Sequence, residues 1–189
     1  MQRARECRIC EKDLALGCRP LLQGSRSSRL LLIGQAPGAA AHESGVPWDD
    51  RSGQRLREWL ELSDAEFYNP ELVAILPMGF CYPGTGKSGD LRPRPECAPE
   101  WHERFLAGFE AVELTVCLGR YAFERYLSDR FGSVTEAVRS NAQLLPKWAA
   151  LPHPSPRNNM WLKRNAWFEA DVLPVIRRRV RSLLKSSRA

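Results

Sequence analysis

Three groups of residues in this chain have types and spacings suited to chemistry. The first is the turn Gly34-Gln35-Ala36-Pro37-Gly38, which ends an apolar run and is followed by a polar loop carrying Trp48, Asp49 and Asp50. A polar side chain on a rigid loop at the end of a strand is where open α/β sheets bind ligands. The second group is Leu151-Pro152-His153-Pro154-Ser155-Pro156-Arg157-Asn158. Three prolines alternate here with residues that the following proline holds extended. The result is a stiff loop presenting an imidazole, a hydroxyl and a guanidinium. The prolines offer no N–H, which leaves those of His153, Ser155 and Arg157 as free donors. A lone histidine is most often structural, but one locked between prolines on a loop after a strand reads as functional. The third group is Cys7-x2-Cys10 with Cys81-x15-Cys97. Four soft thiolates suit an iron–sulfur cluster or zinc, and the plainer reading is four unligated thiols.

These residues need a scaffold, and the apolar runs supply one. Leu30–Ile33, Leu72–Leu76, Leu114–Leu118 and Trp148–Leu151 read as four buried strands. Between them the pattern is helical. A helix over 52–62 has Ser52 as its cap and Leu56, Trp59 and Leu60 on one face. Ser63–Glu66 and Ser133–Glu136 read as capping boxes. A Gly/Pro-rich loop over 77–95 leads to a helix over 96–109, and another helix covers about 120–128. The last helix carries Leu173, Ile176, Val180, Leu183 and Leu184 as an apolar stripe. Strands separated by helices predict an α/β fold with a parallel sheet covered on both faces.

The composition narrows the class further. At 189 residues, 43% hydrophobic and 26% charged, the chain fits a single globular domain. No apolar run approaches the roughly 20 residues of a membrane span. The charged N-terminus lacks the apolar core of a secretory signal, which predicts a cytoplasmic protein. The net charge of +6 is concentrated in Arg177, Arg178, Arg179, Arg181, Lys185 and Arg188. That end could touch phosphates or be the solvated face of a helix. Cys117, inside an apolar strand, reads as core. Gly84-Thr85-Gly86-Lys87-Ser88-Gly89 imitates the tail of a phosphate-binding loop. The motif needs a glycine where Cys81 stands, and Tyr82 and Pro83 would obstruct the cradle, which argues against nucleotide hydrolysis.

Taken together, GQAPG after the first strand and HPS after the last resemble the two signature motifs of the uracil-DNA glycosylase superfamily. The cysteine layout is similar to that of its iron–sulfur family 4 and family 5 branches. The resemblance runs from Cys7 to Asn158. It implies a three-layer α/β/α sandwich with a central four-stranded parallel sheet, spanning 1–189 as one domain with a cysteine-bearing arm over 1–28 and a basic helix over 171–189. It also implies base-excision repair of DNA: hydrolysis of the N-glycosidic bond of a flipped-out deaminated base, uracil first. His153 would donate to the leaving base, and Trp48 would stack on it. The backbone at Gly34 and Ala36 would approach it closely. Ser155 would grip phosphate, while Arg157 and Asn158 would belong to the loop entering the duplex. Cys7, Cys10, Cys81 and Cys97 would hold a [4Fe–4S] cluster that pins the arm to the Cys81–Cys97 loop.

Two positions depart from the family 4 pattern. Gln35 stands where that branch has glutamate, and an amide orients water but is no base. The run Trp48–Gly53 resembles the family 5 segment, which makes Asp50 the expected carboxylate beside the sugar. The uracil-reading asparagine falls on Pro77, and losing such a base reader costs roughly 1–3 kcal/mol of discrimination. We expect a monomer acting on DNA, with no membrane partner. The alternative is a nucleic-acid-binding protein on the same scaffold with reduced catalysis.

Overall fold

The computed structural model describes residues 1–87 and 89–185. Ser88 and Arg188, which entered the reading of the glycine-rich stretch and of the basic end, lie outside them. Four parallel strands form the central sheet: β1 (Leu30–Ile33), β2 (Val73–Ile75), β5 (Leu114–Leu118) and β6 (Trp148–Leu151). Between β2 and β5 lies a two-stranded antiparallel hairpin, β3 (Thr85–Gly86) and β4 (Gly89–Asp90). The sheet order is β2-β1-β5-β6, with Leu31 beside Ala74 and Thr115, and Cys117 beside Ala150. Every residue of β1, β2 and β5 is buried. Successive strand side chains point to opposite faces, so this burial means both faces are covered by helices.

The order positions the site. From β1 the chain steps to one side to make β2, then crosses to the other side of β1 to make β5. Such a reversal opens a crevice at the carboxyl ends of the strands, between β1 and β5. The turn after β1 and the loop after β6 both open into that crevice.

Three local expectations change. The helix after the first turn spans Arg51–Leu60, and its cap is Asp50, whose side chain accepts from Gly53 N at 2.7 Å. Ser52 is inside the helix. Ser63 and Glu66 form a full capping box. Around Ser133 only half of one forms, because the Glu136 carboxylate takes the N–H of Gly132 instead.

The basic end is largely tied to the body. In the final helix, Leu173–Lys185, Arg177 donates to Trp59 O at 3.0 Å and approaches Glu61. Its guanidinium thereby satisfies carbonyls at the open C-terminus of the helix Arg51–Leu60. Arg179 donates to Pro146 O at 3.1 Å and faces Glu113, while Arg181 faces Glu61. Of the five described cations, Arg178, Arg181 and Lys185 stand exposed, and of these three Arg181 has an acidic partner. Among the described residues no helix is long and apolar enough to cross a membrane.

Candidate active site

A cavity of ≈ 440 Å³ opens at the carboxyl ends of the strands. It brings together most of the residues singled out from sequence: Gln35, Ala36, Trp48, Asp50, His153 and Ser155 line it, with Arg157 and Asn158 at the same wall. Gly34 is the exception. It is buried behind Trp48, and a Cβ there would sit 2.7 Å from the indole. Its smallness admits the ring and does not face the cavity.

The loop after β1 is held by an unusual backbone. Trp48 has φ 61°, a left-handed conformation that a bulky residue adopts only when its surroundings impose it. Gly53 permits it, because a Cβ at that position would overlap the Trp48 carbonyl. The same carbonyl accepts from Arg57 Nη1 at 3.3 Å and Tyr68 OH at 3.4 Å. The indole ring then lies 5.6 Å from the His153 imidazole, tilted by 32°. Trp48 is therefore wedged between Gly34 and His153, positioning the imidazole as well as walling the cavity.

The two neighbouring aspartates are separated by this turn. Asp49 is exposed and faces away from the cavity, whereas Asp50 lines it. One oxygen of Asp50 caps the helix, and Oδ2 points past Gly38, 3.5 Å from where a Cβ would be. The two readings of Asp50, helix cap and site carboxylate, are compatible because each uses a different oxygen. Gln35 also lines the cavity; its backbone carbonyl accepts from Gly79 N at 2.9 Å. Its side chain makes no hydrogen bond among the described residues.

In the loop after β6, the hydrogen bonds fix the proton on His153. Ser155 N–H donates to Nδ1 at 3.2 Å, so the neutral ring carries its hydrogen on Nε2. Burial pushes this imidazole down to about 4; the Asp50 charge opposes the shift and Arg157 adds to it. At neutral pH the ring is an uncharged donor. Asn158 Nδ2 donates to His153 O at 2.7 Å and so braces the loop. Gly119, at the end of β5 with φ 77°, leaves room for the histidine: a Cβ there would lie 2.9 Å from His153 Cβ. Of the three backbone donors expected to be free in this loop, Ser155 N–H and Arg157 N–H are used within it, the latter on Ser155 Oγ at 3.3 Å.

Two contributors had little sequence signal. Asp90, on the hairpin in the glycine-rich stretch, lines the same cavity. The stretch folds as the β3–β4 hairpin, closed by Leu91 N–H to Gly84 O at 2.8 Å, and not as a phosphate cradle. His102, fully buried, donates from Nε2 to Pro77 O at 3.0 Å and accepts from Tyr126 OH at 2.5 Å. Desolvation holds it down to about 4. It anchors Pro77, which lines the cavity where no side-chain donor can reach. The histidine lies on the inner face of the helix Cys97–Gly108, so its apolar neighbours were the signal available.

The cysteines gather separately. Cys7, Cys10, Cys81 and Cys97 surround one small pocket, and Cys18 joins them, with Phe80 and Arg94 completing the wall. Cys97 Sγ accepts from Phe80 N at 3.3 Å, and Cys10 Sγ lies 3.9 Å from Glu96 Oε2. Burial pushes the Cys81 and Cys97 thiols up to about 12. Among the described residues no three His, Cys, Asp or Glu side chains are arranged around a single metal ion. As a donor set, half-buried thiols drawn from four separate segments fit a thiolate-ligated cluster, whose positive iron would lower the high proton affinities of Cys81 and Cys97.

Residues 22–177 match the family model described as the uracil DNA glycosylase superfamily. The matched region holds both strand-end loops, Cys81, Cys97 and the hairpin. Cys7, Cys10 and Cys18 precede it.

Proposed function

This chain belongs to the uracil-DNA glycosylase superfamily, and from that premise we propose that it hydrolyses the N-glycosidic bond of a deaminated base flipped out of DNA, with uracil as the first substrate to test. The observation that carries the reading is the pair that lines one cavity: Asp50, with one oxygen not used in capping, and a neutral His153 with its hydrogen on Nε2. Breaking the bond separates charge. The sugar becomes oxocarbenium-like and the base leaves as an anion. Asp50 supplies fixed negative charge to the first, His153 a hydrogen bond to the carbonyl oxygen of the second. A neutral histidine suits this step, because it stabilises the anion without needing to be protonated at physiological pH.

Gln35 orients water and takes no proton. Trp48 bounds the base and holds the imidazole in line. Ser155 grips the DNA backbone, Arg157 and Asn158 belong to the loop that enters the duplex, and Pro77 leaves the base edge without the amide that would read uracil. We therefore expect broader base selection than an amide reader gives, extending to hypoxanthine or xanthine. Cys7, Cys10, Cys81 and Cys97 would hold a [4Fe–4S] cluster. Its role would be structural, tying the N-terminal arm to the loop that carries the hairpin.

The test is base release by the holoprotein from duplex and single-stranded DNA bearing uracil, hypoxanthine or xanthine. Release of at least one base, slowed by about 10²-fold or more in both Asp50→Asn and His153→Ala, supports the assignment. Binding without release from any of these strands would favour the nucleic-acid-binding alternative.

A further inference from the structure

We propose that Asp90, on the hairpin between β2 and β5, is a second catalytic carboxylate of this site and receives the proton of the attacking water; this rests on the glycosylase reading above. The placement is direct. Asp90 and Asp50 line the same cavity, and both carboxylates come close to Gly38. Their Oδ2 atoms lie 3.7 Å and 3.5 Å from the position of a Cβ on Gly38, a residue whose missing side chain leaves that space open. They reach it from different elements, Asp50 from the start of a helix and Asp90 from the hairpin edge.

Their surroundings divide the work between them. Asp50 is anchored: one oxygen is committed to Gly53 N–H at the helix N-terminus, which favours a standing negative charge there. Asp90 makes no hydrogen bond or ion pair among the described residues, so both its oxygens are open to a water. Gln35, the other polar group at this wall, has no basic atom. A hydrolysis at this site has one remaining requirement, an acceptor for the water proton, and Asp90 has the chemistry and the position for it.

The hairpin is seated firmly enough to present the group. Tyr82 and Thr85 hydrogen-bond through their hydroxyls, and the Arg157 guanidinium lies over Gly89 in space that a Cβ would occupy. The hairpin thus touches the loop that carries His153. The ends of its loop are Cys81 and Cys97, both at the thiol pocket.

The water oxygen bonds to C1′ as the C1′–N bond breaks. The bonding pair leaves with the base, whose carbonyl oxygen accepts from His153 Nε2–H. The water proton passes to an Asp90 oxygen, and from there through solvent to the base, which leaves neutral and restores the carboxylate.

The test uses the full-length holoprotein and DNA carrying the base that wild type releases fastest. Single-turnover release and DNA affinity are measured for wild type, Asp90→Asn, Asp90→Ala and Asp90→Glu. Asp90 is exposed and unpartnered, so these variants should melt as wild type does. We expect Asp90→Asn and Asp90→Ala to release base about 10²-fold more slowly at unchanged DNA affinity. Asp90→Glu should retain part of the rate, and added formate should restore part of it to Asp90→Ala, a response that a structural role would not give. An active wild type with Asp90→Asn within twofold of it overturns this assignment alone. A wild type that releases no base overturns the glycosylase reading as well.

Discussion

The cavity at the strand ends and the thiol pocket both gather reactive side chains from distant segments, but they are finished to different degrees by the polypeptide. In the cavity the key groups have protein partners: Asp50 has Gly53 N–H, His153 has Ser155 N–H, and Trp48 has Arg57 and Tyr68 on its carbonyl. The chain alone preorganises that site, as electrostatic catalysis requires. In the thiol pocket, Cys81 and Cys97 are held protonated by burial, which outweighs one backbone hydrogen bond to each, from Arg19 and Phe80. Arg94 stands at Cys10, but burial still dominates at Cys81 and Cys97, so a cationic group bound there would lower their proton affinity. One region is completed by folding, and the other is where the proposed cluster would add what the chain does not supply.

The sharpest way to break this contrast is to remove the groups the cavity holds ready. His153→Ala should slow base release roughly 10²–10³-fold, the usual cost of losing one donor to a developing anion. Asp50→Asn should cost a comparable factor in single-turnover rate while leaving the melting temperature nearly unchanged, because asparagine caps a helix as well as aspartate does. If Asp50→Asn instead lowers stability and spares the rate, Asp50 is only a cap.

Next in size is the backbone that supports the cavity. Gly53→Ala places a methyl group into the Trp48 carbonyl and should destabilise the fold by about 3 kcal/mol or more, read from chemical denaturation. For the thiol pocket, Cys81→Ser or Cys97→Ser in anaerobically purified protein should lose iron and the broad visible absorbance of a cluster. Equal stability of wild type and both serine variants, with no iron in any of them, would remove the distinction between the two regions.

A smaller effect follows from pH. Folded His102 stays neutral down to about 4, whereas an unfolded histidine titrates near 6.5. Between those values the unfolded chain binds the extra proton. Stability is therefore full above about pH 6.5 and is lost as pH falls toward 4, by roughly 3 kcal/mol for this one buried ring. His153 adds to the loss in the same direction. Thermal melts between pH 7 and 4 read the sum, and a His102→Gln variant should show a shallower decline. Smallest of all, Arg181→Ala should change stability by less than about 1 kcal/mol, because its ion pair with Glu61 is half exposed.

Much of this architecture was legible because it depends on local pattern. Four apolar runs became the four strands, with bounds that differ by a residue or two at β2 and not at all at β1, β5 and β6. A strand buried on both faces needs a continuous apolar run, and such runs survive in any tertiary setting. The site was legible in part. Gln35, Asp50 and His153 lie in the predicted loops because glycine and proline fix loop positions through the backbone. The helix cap was misplaced by two residues, since Ser52 and Asp50 are both good capping types and only the course of the Trp48 turn selects between them.

What the sequence determined by itself is the parallel α/β sheet, the two strand-end loops that carry the chemistry, and the four spaced cysteines. The tertiary structure alone decided which atoms those loops present. It turned Asp49 outward and Asp50 inward, put the His153 hydrogen on Nε2, and brought Asp90 and Cys18 to sites where no motif had put them. It also turned Arg177 and Arg179 from a possible nucleic-acid contact into partners of carbonyl groups. The physical reason is range. Strand and turn preferences act between residues a few positions apart, whereas the meeting of Asp90 with Asp50, or of Cys18 with Cys81, depends on how separate segments pack against each other.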